Sequence, residues 1–185
     1  MSSPSVDRAR YTTLTSPIGP LLIAVSDRGV CAVSWLGSFP LARTLRDLET
    51  RGFVPVEAAA DPEVRRWAGQ LTAYFAGALR EFSREIDLQG TSAFTEKALN
   101  GILDIPWGEV RTYGEVATGI GMPGSAQAVG NAMGQNPIPV IVPCHRVVRA
   151  GGKMGYYTGG AQIKEALLAI EGVTFGRHPG QLRLL

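Results

Sequence analysis

Cysteine is scarce in this chain: it has two cysteines among 185 residues, and they are far apart. This spacing excludes a disulfide framework and indicates a reducing compartment. Long apolar runs are also missing. No stretch approaches the roughly 20 apolar residues of a membrane span, and the first residues lack the apolar core of a signal peptide. We therefore expect a cytoplasmic protein that does not associate with a membrane.

Acidic residues are absent from one long stretch. Residues 1–115 carry 12 Lys/Arg and 14 Asp/Glu, residues 116–185 carry six and two, and Val116 to Lys164 contains no acid at all. A surface without acids suits contact with a polyanion. Charge alone favours a simpler explanation, since a segment rich in glycine and alanine carries few charges of either sign.

What is present is an ordinary globular composition, with 45% hydrophobic residues, 23 glycines and 12 prolines. In the first half, "YTTLTSPIGPLLIAVSDRGVCAVSWLG" alternates β-rich runs with turn signals and predicts two or three antiparallel strands. Two helices should follow, the second capped by Asp61 with Pro62 at its first position. "REFSREIDL" is a possible further strand. These elements predict a small N-terminal α/β domain over residues 1–88.

Residues 89–185 are predicted to be mostly helical. "SAFTEKALNGILDI" has helical spacing, and short helices are expected from Tyr113 to about Ile120 and from Ser125 to about Gly134. Two short helices joined by a glycine turn form a helix-turn-helix pattern. A last helix should run from about Gly160 to Ile170. The chain as a whole is therefore predicted to be α+β, with a winged-helix-like C-terminal domain.

The two cysteines have different surroundings. Cys31 lies in "GVCAVSW", an apolar strand-like run, and is expected to be a buried, inert thiol. Cys144 lies in "NPIPVIVPCHRVVRAGG", beside His145 and Arg146. A metal site is not expected, because the chain's only other soft ligand is His178 and the four form no close-spaced pairs. A nucleophilic thiol would need nearby positive or proton-accepting groups, and sequence adjacency alone leaves this open.

The segment "IPVIVPCHRVV" closely resembles the active-site signature of the O6-alkylguanine-DNA alkyltransferases. "IPWGEVRTYGEVA", "AVGNAMGQNP", "GYYTGG" and "KEALLAIEG" occur in that family's order and spacing, over roughly residues 91 to 173. The resemblance implies direct-reversal DNA repair, in which a cysteine irreversibly accepts the alkyl group of O6-alkylguanine, or of O4-alkylthymine, from a base turned out of the duplex. It implies no cofactor, double-stranded DNA as partner, and a monomer in solution that could cluster on DNA.

The resemblance also implies a catalytic set. Cys144 would be the acceptor, and His145 would act through a water as the base that yields its thiolate. Glu171 would orient and polarise His145. Asn136 would hold the turn before an active-site strand and hydrogen-bond near the thiol.

Further residues would bind the substrate by the same resemblance. Tyr113 would help to rotate the nucleotide out of the duplex and contact the base, and Lys164 would support the charge balance of the site. The remaining positions would form the base pocket, through the main chain of Cys144, Val147 and Thr158 and the walls Met133 and Tyr157.

The second helix of the helix-turn-helix would enter the minor groove. Its small residues Ala126, Ala128, Gly130 and Ala132 would allow close approach to DNA. The family typically places an arginine where this chain has Gln127. Glutamine can fill the gap left by the everted base but brings no positive charge, so we expect weaker DNA affinity or slower repair.

Two other functions compete with repair by alkyl transfer. One is a sensor that binds alkylated bases without chemistry and recruits other repair factors. Cys144 argues against it, since relatives of that type replace this cysteine. The other is a cysteine hydrolase, for which the sequence shows neither an oxyanion hole nor an acyl pocket.

Overall fold

The computed structural model describes residues 7–175 and 182–184 of the chain. The chain divides into two compact units, residues 1–91 and residues 92–185. Of the residues singled out in the sequence, His178 lies outside the described part. No helix in the described ranges combines the length and apolarity that crossing a membrane requires.

A four-stranded sheet forms the centre of the first unit. Its strands are β1 (Arg8–Ser16), β2 (Gly19–Ser26), β3 (Gly29–Trp35) and β4 (Val54–Glu57), in the spatial order β3-β2-β1-β4. The predicted antiparallel strands are confirmed, because β1 pairs with β2 and β2 with β3 in that sense. Strand β4 was not foreseen, and it adds to β1 in parallel.

Two helices accompany the sheet, α1 (Leu41–Thr50) and α2 (Pro62–Phe75). Helix α2 begins as predicted: the Asp61 carboxylate accepts hydrogen bonds from the main-chain N–H groups of Glu63 and Val64. Its buried residues recur at helical spacing and form one apolar face, namely Val64, Trp67, Leu71 and Tyr74.

The predicted strand "REFSREIDL" is wrong. The segment makes one isolated bridge, between Ile86 and Val30. Its main chain bonds to β3 only at Val30, whose N–H donates to the Glu85 carbonyl and whose carbonyl accepts from the Asp87 N–H. Side chains bind Asp87 as well, because Arg51 donates to its carbonyl and Ser26 Oγ to its buried carboxylate. The segment passes so close to Gly29 that a Cβ there would lie 2.1 Å from the Glu85 carbonyl oxygen, which explains the glycine.

The second unit is built from short helices. They are α3 (Ala93–Asn100), α4 (Tyr113–Gly119), α5 (Ala126–Gly134) and α6 (Ala161–Ile170). Helix α3 ends earlier than predicted, at Gly101, where a Cβ would lie 2.3 Å from Ile120 Cγ2. Glycine gives this close approach, and it also has a low helix propensity.

The predicted helix-turn-helix is present as α4 and α5, which pack against each other. Thr112 caps α4 in a capping box: its side chain accepts from Glu115 N–H, and the Glu115 carboxylate accepts from Thr112 N–H. Short strands complete the unit. They are β5 (Arg111–Thr112) with β6 (Val147–Val148), and β7 (Val173–Phe175) with β8 (Leu182–Leu184).

Candidate active site

The segment between Asn136 and Cys144 is not the active-site strand that the resemblance implies. Residues 137–143 form tight turns with a single bridge between Pro139 and Val142, and Cys144 begins a 3₁₀ helix, Cys144–Arg146. Within these turns Val140 has a φ of 76°, in the left-handed region that a β-branched residue rarely adopts. Such strain costs about 1–3 kcal/mol and persists only where the surroundings enforce it. Here Val140 is fully buried.

Asn136 is the residue that organises these turns. It follows α5 directly, and its Oδ1 accepts from Ile138 N–H at 2.9 Å. Its Nδ2 donates to the Val142 carbonyl at 2.9 Å and contacts Cys144 Sγ at 3.1 Å. One amide side chain therefore fixes both ends of the turn and the position of the sulfur.

Cys144 is buried, with only 5% of the residue exposed. Burial raises its pKa, while the Asn136 hydrogen bond and the charge of Lys164 work in the opposite direction. The thiol is thus protonated at rest but lies next to groups that stabilise its anion. Cys31 differs from Cys144. Burial raises the pKa of Cys31 to about 12, and Cys31 lies in the first unit whereas Cys144 lies in the second.

His145 and Glu171 are brought together by the fold although 26 residues separate them. His145 Nε2 lies 2.8 Å from Glu171 Oε1, and both side chains are fully buried. Burial lowers the pKa of His145, and the carboxylate only partly offsets this, so the ring is neutral near pH 7. A neutral ring held by a carboxylate can accept a proton, which is the requirement for a general base.

Arg146 is a site residue whose position the sequence reasoning missed. It is 6% exposed and binds Glu171 in a bidentate manner, with Nε to Oε2 and Nη2 to Oε1 both at 2.9 Å. Its Nη1 donates to the Ile105 carbonyl at 2.5 Å. Burial opposes ionisation of Glu171, but the hydrogen bonds and charges of His145 and Arg146 outweigh it and lower its pKa to about 2.

Lys164 is fully buried and reaches the site from α6. Its Nζ donates to the Val147 carbonyl at 2.6 Å, and the Val147 N–H donates to the Cys144 carbonyl. Burial lowers the pKa of Lys164 to about 8, and the Cys144 sulfur opposes the shift. Lys164 therefore remains mostly protonated near pH 7, where it favours a thiolate at Cys144.

Tyr113, at the start of α4, is half-buried and packs against two glycines. A Cβ on Gly155 would lie 2.6 Å from the Tyr113 Oη, and a Cβ on Gly130 would lie 3.8 Å from the Tyr113 ring. The hydroxyl donates to the Tyr156 carbonyl at 3.4 Å. Burial and the nearby Cys144 sulfur raise its pKa, so the phenol keeps its proton.

The other predicted pocket residues lie around these groups. Met133 and Tyr157 are buried, and Thr158 Oγ1 donates to the Gly134 carbonyl at 3.1 Å. The predicted DNA-facing positions lie at the start of α5, where Gln127 is exposed and Ala126, Ala128 and Gly130 are half-buried. Ala132 is instead buried within the unit.

Comparison with known proteins accounts for both units. The description "6-O-methylguanine DNA methyltransferase, DNA binding domain" matches residues 93–173, and the ribonuclease-like domain of the same family matches residues 9–88. A methylated-DNA--protein-cysteine methyltransferase of Mycobacterium bovis is 44% identical over 177 residues, which are 94% of this chain and 97% of the relative. One of Methanosarcina acetivorans is 42% identical over 163 residues, which are 88% of this chain and 97% of the relative.

Solved structures agree with the sequence matches. A Mycobacterium tuberculosis OGT in complex with DNA has a TM-score of 0.73 and 41% identity, covering 88% of this chain and 92% of that one. An O6-methylguanine-DNA methyltransferase from Pyrococcus kodakaraensis has a TM-score of 0.66 and 28% identity, covering 89% and 99%. This chain therefore belongs to the 6-O-methylguanine DNA methyltransferase family.

Proposed function

We propose that this protein repairs DNA by moving the alkyl group of O6-alkylguanine irreversibly to Cys144. The observation that carries the proposal is the arrangement around the sulfur. The buried Cys144 thiol contacts the Asn136 amide, and burial raises its pKa while the charge of Lys164 works to lower it. The next residue, His145, is neutral and hydrogen-bonded to the Glu171 carboxylate. These are the features of an activated thiol nucleophile.

The transfer is a displacement at the alkyl carbon. A thiolate forms when the Cys144 proton passes, through a water, to His145, with Glu171 stabilising the charged ring. The sulfur then forms a C–S bond while the bond between the alkyl carbon and O6 breaks. The proton held by His145 then passes to the guanine, so that guanine leaves as a neutral product. Nothing in this scheme breaks the thioether, and each chain acts once.

The substrate base would be bound on the side of the site lined by α4 and α5. The Tyr113 phenol keeps its proton and is available to the base, while buried Met133 and Tyr157 would provide walls. Half-buried small residues at the start of α5 leave little bulk between that helix and a minor groove. The protein would bind double-stranded DNA as a monomer.

Mass spectrometry tests the proposal directly. The protein would be mixed with excess duplex containing O6-methylguanine, then measured intact and as peptides. We expect one added methyl per chain, located on Cys144 and never released. Cys144→Ala should bind the duplex and gain no methyl. DNA binding with an unmodified Cys144 in the wild type would instead indicate a sensor, and release of the alkyl group would indicate a hydrolase.

A further inference from the structure

A tight turn follows the active-site segment and carries two basic residues. Arg149 and Lys153 face each other across an antiparallel bridge, and the Arg149 N–H donates to the Lys153 carbonyl at 2.8 Å. Gly151 and Gly152 close the turn with φ values of 74° and 71°, a backbone that glycine adopts readily. The bridge therefore holds the backbones of the two basic residues side by side.

The facing pair has an electrostatic cost. Like charges directly opposite each other on paired strands are destabilising, and a structural turn would be expected to carry opposite or neutral partners. Both side chains are exposed. Neither has an ion-pair partner among the described residues, and no acid occurs between Val116 and Lys164. A bound anion would relieve this repulsion.

The turn lies next to the proposed reaction site. Strand β6, Val147–Val148, leads directly into it, and the Val147 carbonyl accepts from Lys164. The charge of Arg149 also acts on two site residues. Burial raises the pKa of Tyr113, and the charge of Arg149 opposes that shift. Burial lowers the pKa of Lys164, and the charge of Arg149 lowers it further. The guanidinium is thus close enough to act on the groups around Cys144.

We propose that Arg149 and Lys153 bind a backbone phosphate of the strand that carries the everted nucleotide, and so supply the positive charge that Gln127 lacks. This inference rests on the proposed function and deepens it. Gln127 lies at the exposed start of α5 and can fill space in the duplex but cannot neutralise a phosphate. The paired cations would hold the substrate strand while the base enters the pocket.

The salt dependence of DNA binding tests the inference. Binding of undamaged duplex would be measured from 50 to 200 mM salt for the wild type, Arg149→Ala, Lys153→Ala and the double variant. Each phosphate contact contributes about 0.9 to the slope of log affinity against log salt. Because the two cations share one phosphate, we expect the double variant to reduce the slope by about one. Arg46→Ala is the matched control, because Arg46 is an exposed cation of α1 in the other unit.

Repair rates separate this inference from the proposed function. We expect the double variant to lower the ratio of the rate on duplex O6-methylguanine to the rate with free O6-benzylguanine by about tenfold, the equivalent of one charge-assisted contact. An unchanged slope and ratio in a folded double variant would overturn the phosphate site. If wild-type Cys144 accepts no alkyl group from either substrate, the proposed function fails, and the slope still tests the turn as a phosphate site.

Discussion

Glu171 is held between two basic side chains, and Arg146 makes the larger number of contacts with it. Removing the guanidinium would leave a buried carboxylate without its bidentate partner. Breaking a buried ion pair from one side typically costs about 3–5 kcal/mol. We expect Arg146→Gln to lower the free energy of unfolding by that amount in denaturant titrations. Arg111→Gln, which breaks the exposed pair with Glu109, should cost less than about 1 kcal/mol. Equal effects would show that burial of the pair is irrelevant.

The same carboxylate predicts how stability depends on pH. The folded-state pKa of Glu171 is about 2, below its ordinary value of 4.5. Between these values the unfolded chain binds more protons than the folded chain, so acid favours unfolding. The stabilisation is fully present above about pH 4.5 and is lost as the pH falls towards 2. Denaturant titrations should show a smaller loss across this range in Glu171→Gln. An identical loss in both proteins would assign it to other groups.

At Gln127, a substitution is expected to raise the repair rate rather than lower it. A guanidinium at this exposed position would add a cation that can bind a phosphate or fill the gap left by the base. Gln127→Arg should raise the repair rate on duplex DNA while barely changing the reaction with free O6-benzylguanine. Gln127→Lys, which adds charge without the planar fork, is the control for charge alone. Equal enhancement with both substrates, or none, would contradict the role.

At the scale of single elements, the caps of α4 and α5 form a natural comparison. Thr112 caps α4 through its side chain, whereas Ser125, at the start of α5, makes no side-chain cap. Loss of a capping side chain typically costs about 1 kcal/mol. Thr112→Ala should therefore lower the free energy of unfolding by about that amount, and Ser125→Ala should leave it nearly unchanged. Urea titrations of both variants measure the difference. A larger effect at Ser125 would show that capping does not set the stability of this pair.

Local signals predicted most of the elements. Turn residues and β-rich runs predicted two or three antiparallel strands, of which the structure has three, and Asp61 with Pro62 predicted the start of α2. The failures have long-range causes. The segment ending at Asp87 has the composition of a strand, but it pairs with β3 only at Val30, and the side chains of Ser26 and Arg51 bind Asp87 from distant positions. The turns before Cys144 depend on one Asn136 side chain, and no periodicity encodes that.

The candidate site was predictable only in part, for the same reason. The residues next to Cys144 in the sequence left open whether its thiol is a nucleophile, and the pairing of His145 with Glu171 was expected only from the family resemblance. Arg146 was read as a charge beside the thiol. Its side chain instead turns to Glu171 and the Ile105 carbonyl, 25 and 41 residues away. The lack of acids from Val116 to Lys164 is a signal that could have narrowed the acidic partners after Val116 to Glu165 and Glu171.

For the molecule as a whole, the reaction should change stability. A methyl group on Cys144 adds volume at a buried position, and a thioether is a weak acceptor for the Asn136 amide. Overpacking a core typically costs about 1–3 kcal/mol. Fully methylated protein should therefore unfold at lower denaturant concentration than unreacted protein. A Cys144→Ser protein exposed to the same duplex controls for residual DNA. Identical unfolding curves would indicate a site with spare room around the sulfur.

The burial of Cys31 has a practical consequence. With its pKa at about 12 and its side chain fully buried, this thiol does not react while the chain is folded. One cysteine of the chain would then accept an alkyl group, and it would do so once. The fraction of molecules whose Cys144 is still free records how many alkyl groups a preparation has met. In this sense the protein would be a dosimeter that records at most one alkyl group per chain. Cys144 would report the exposure, and Cys31 would stay unmodified as an internal reference.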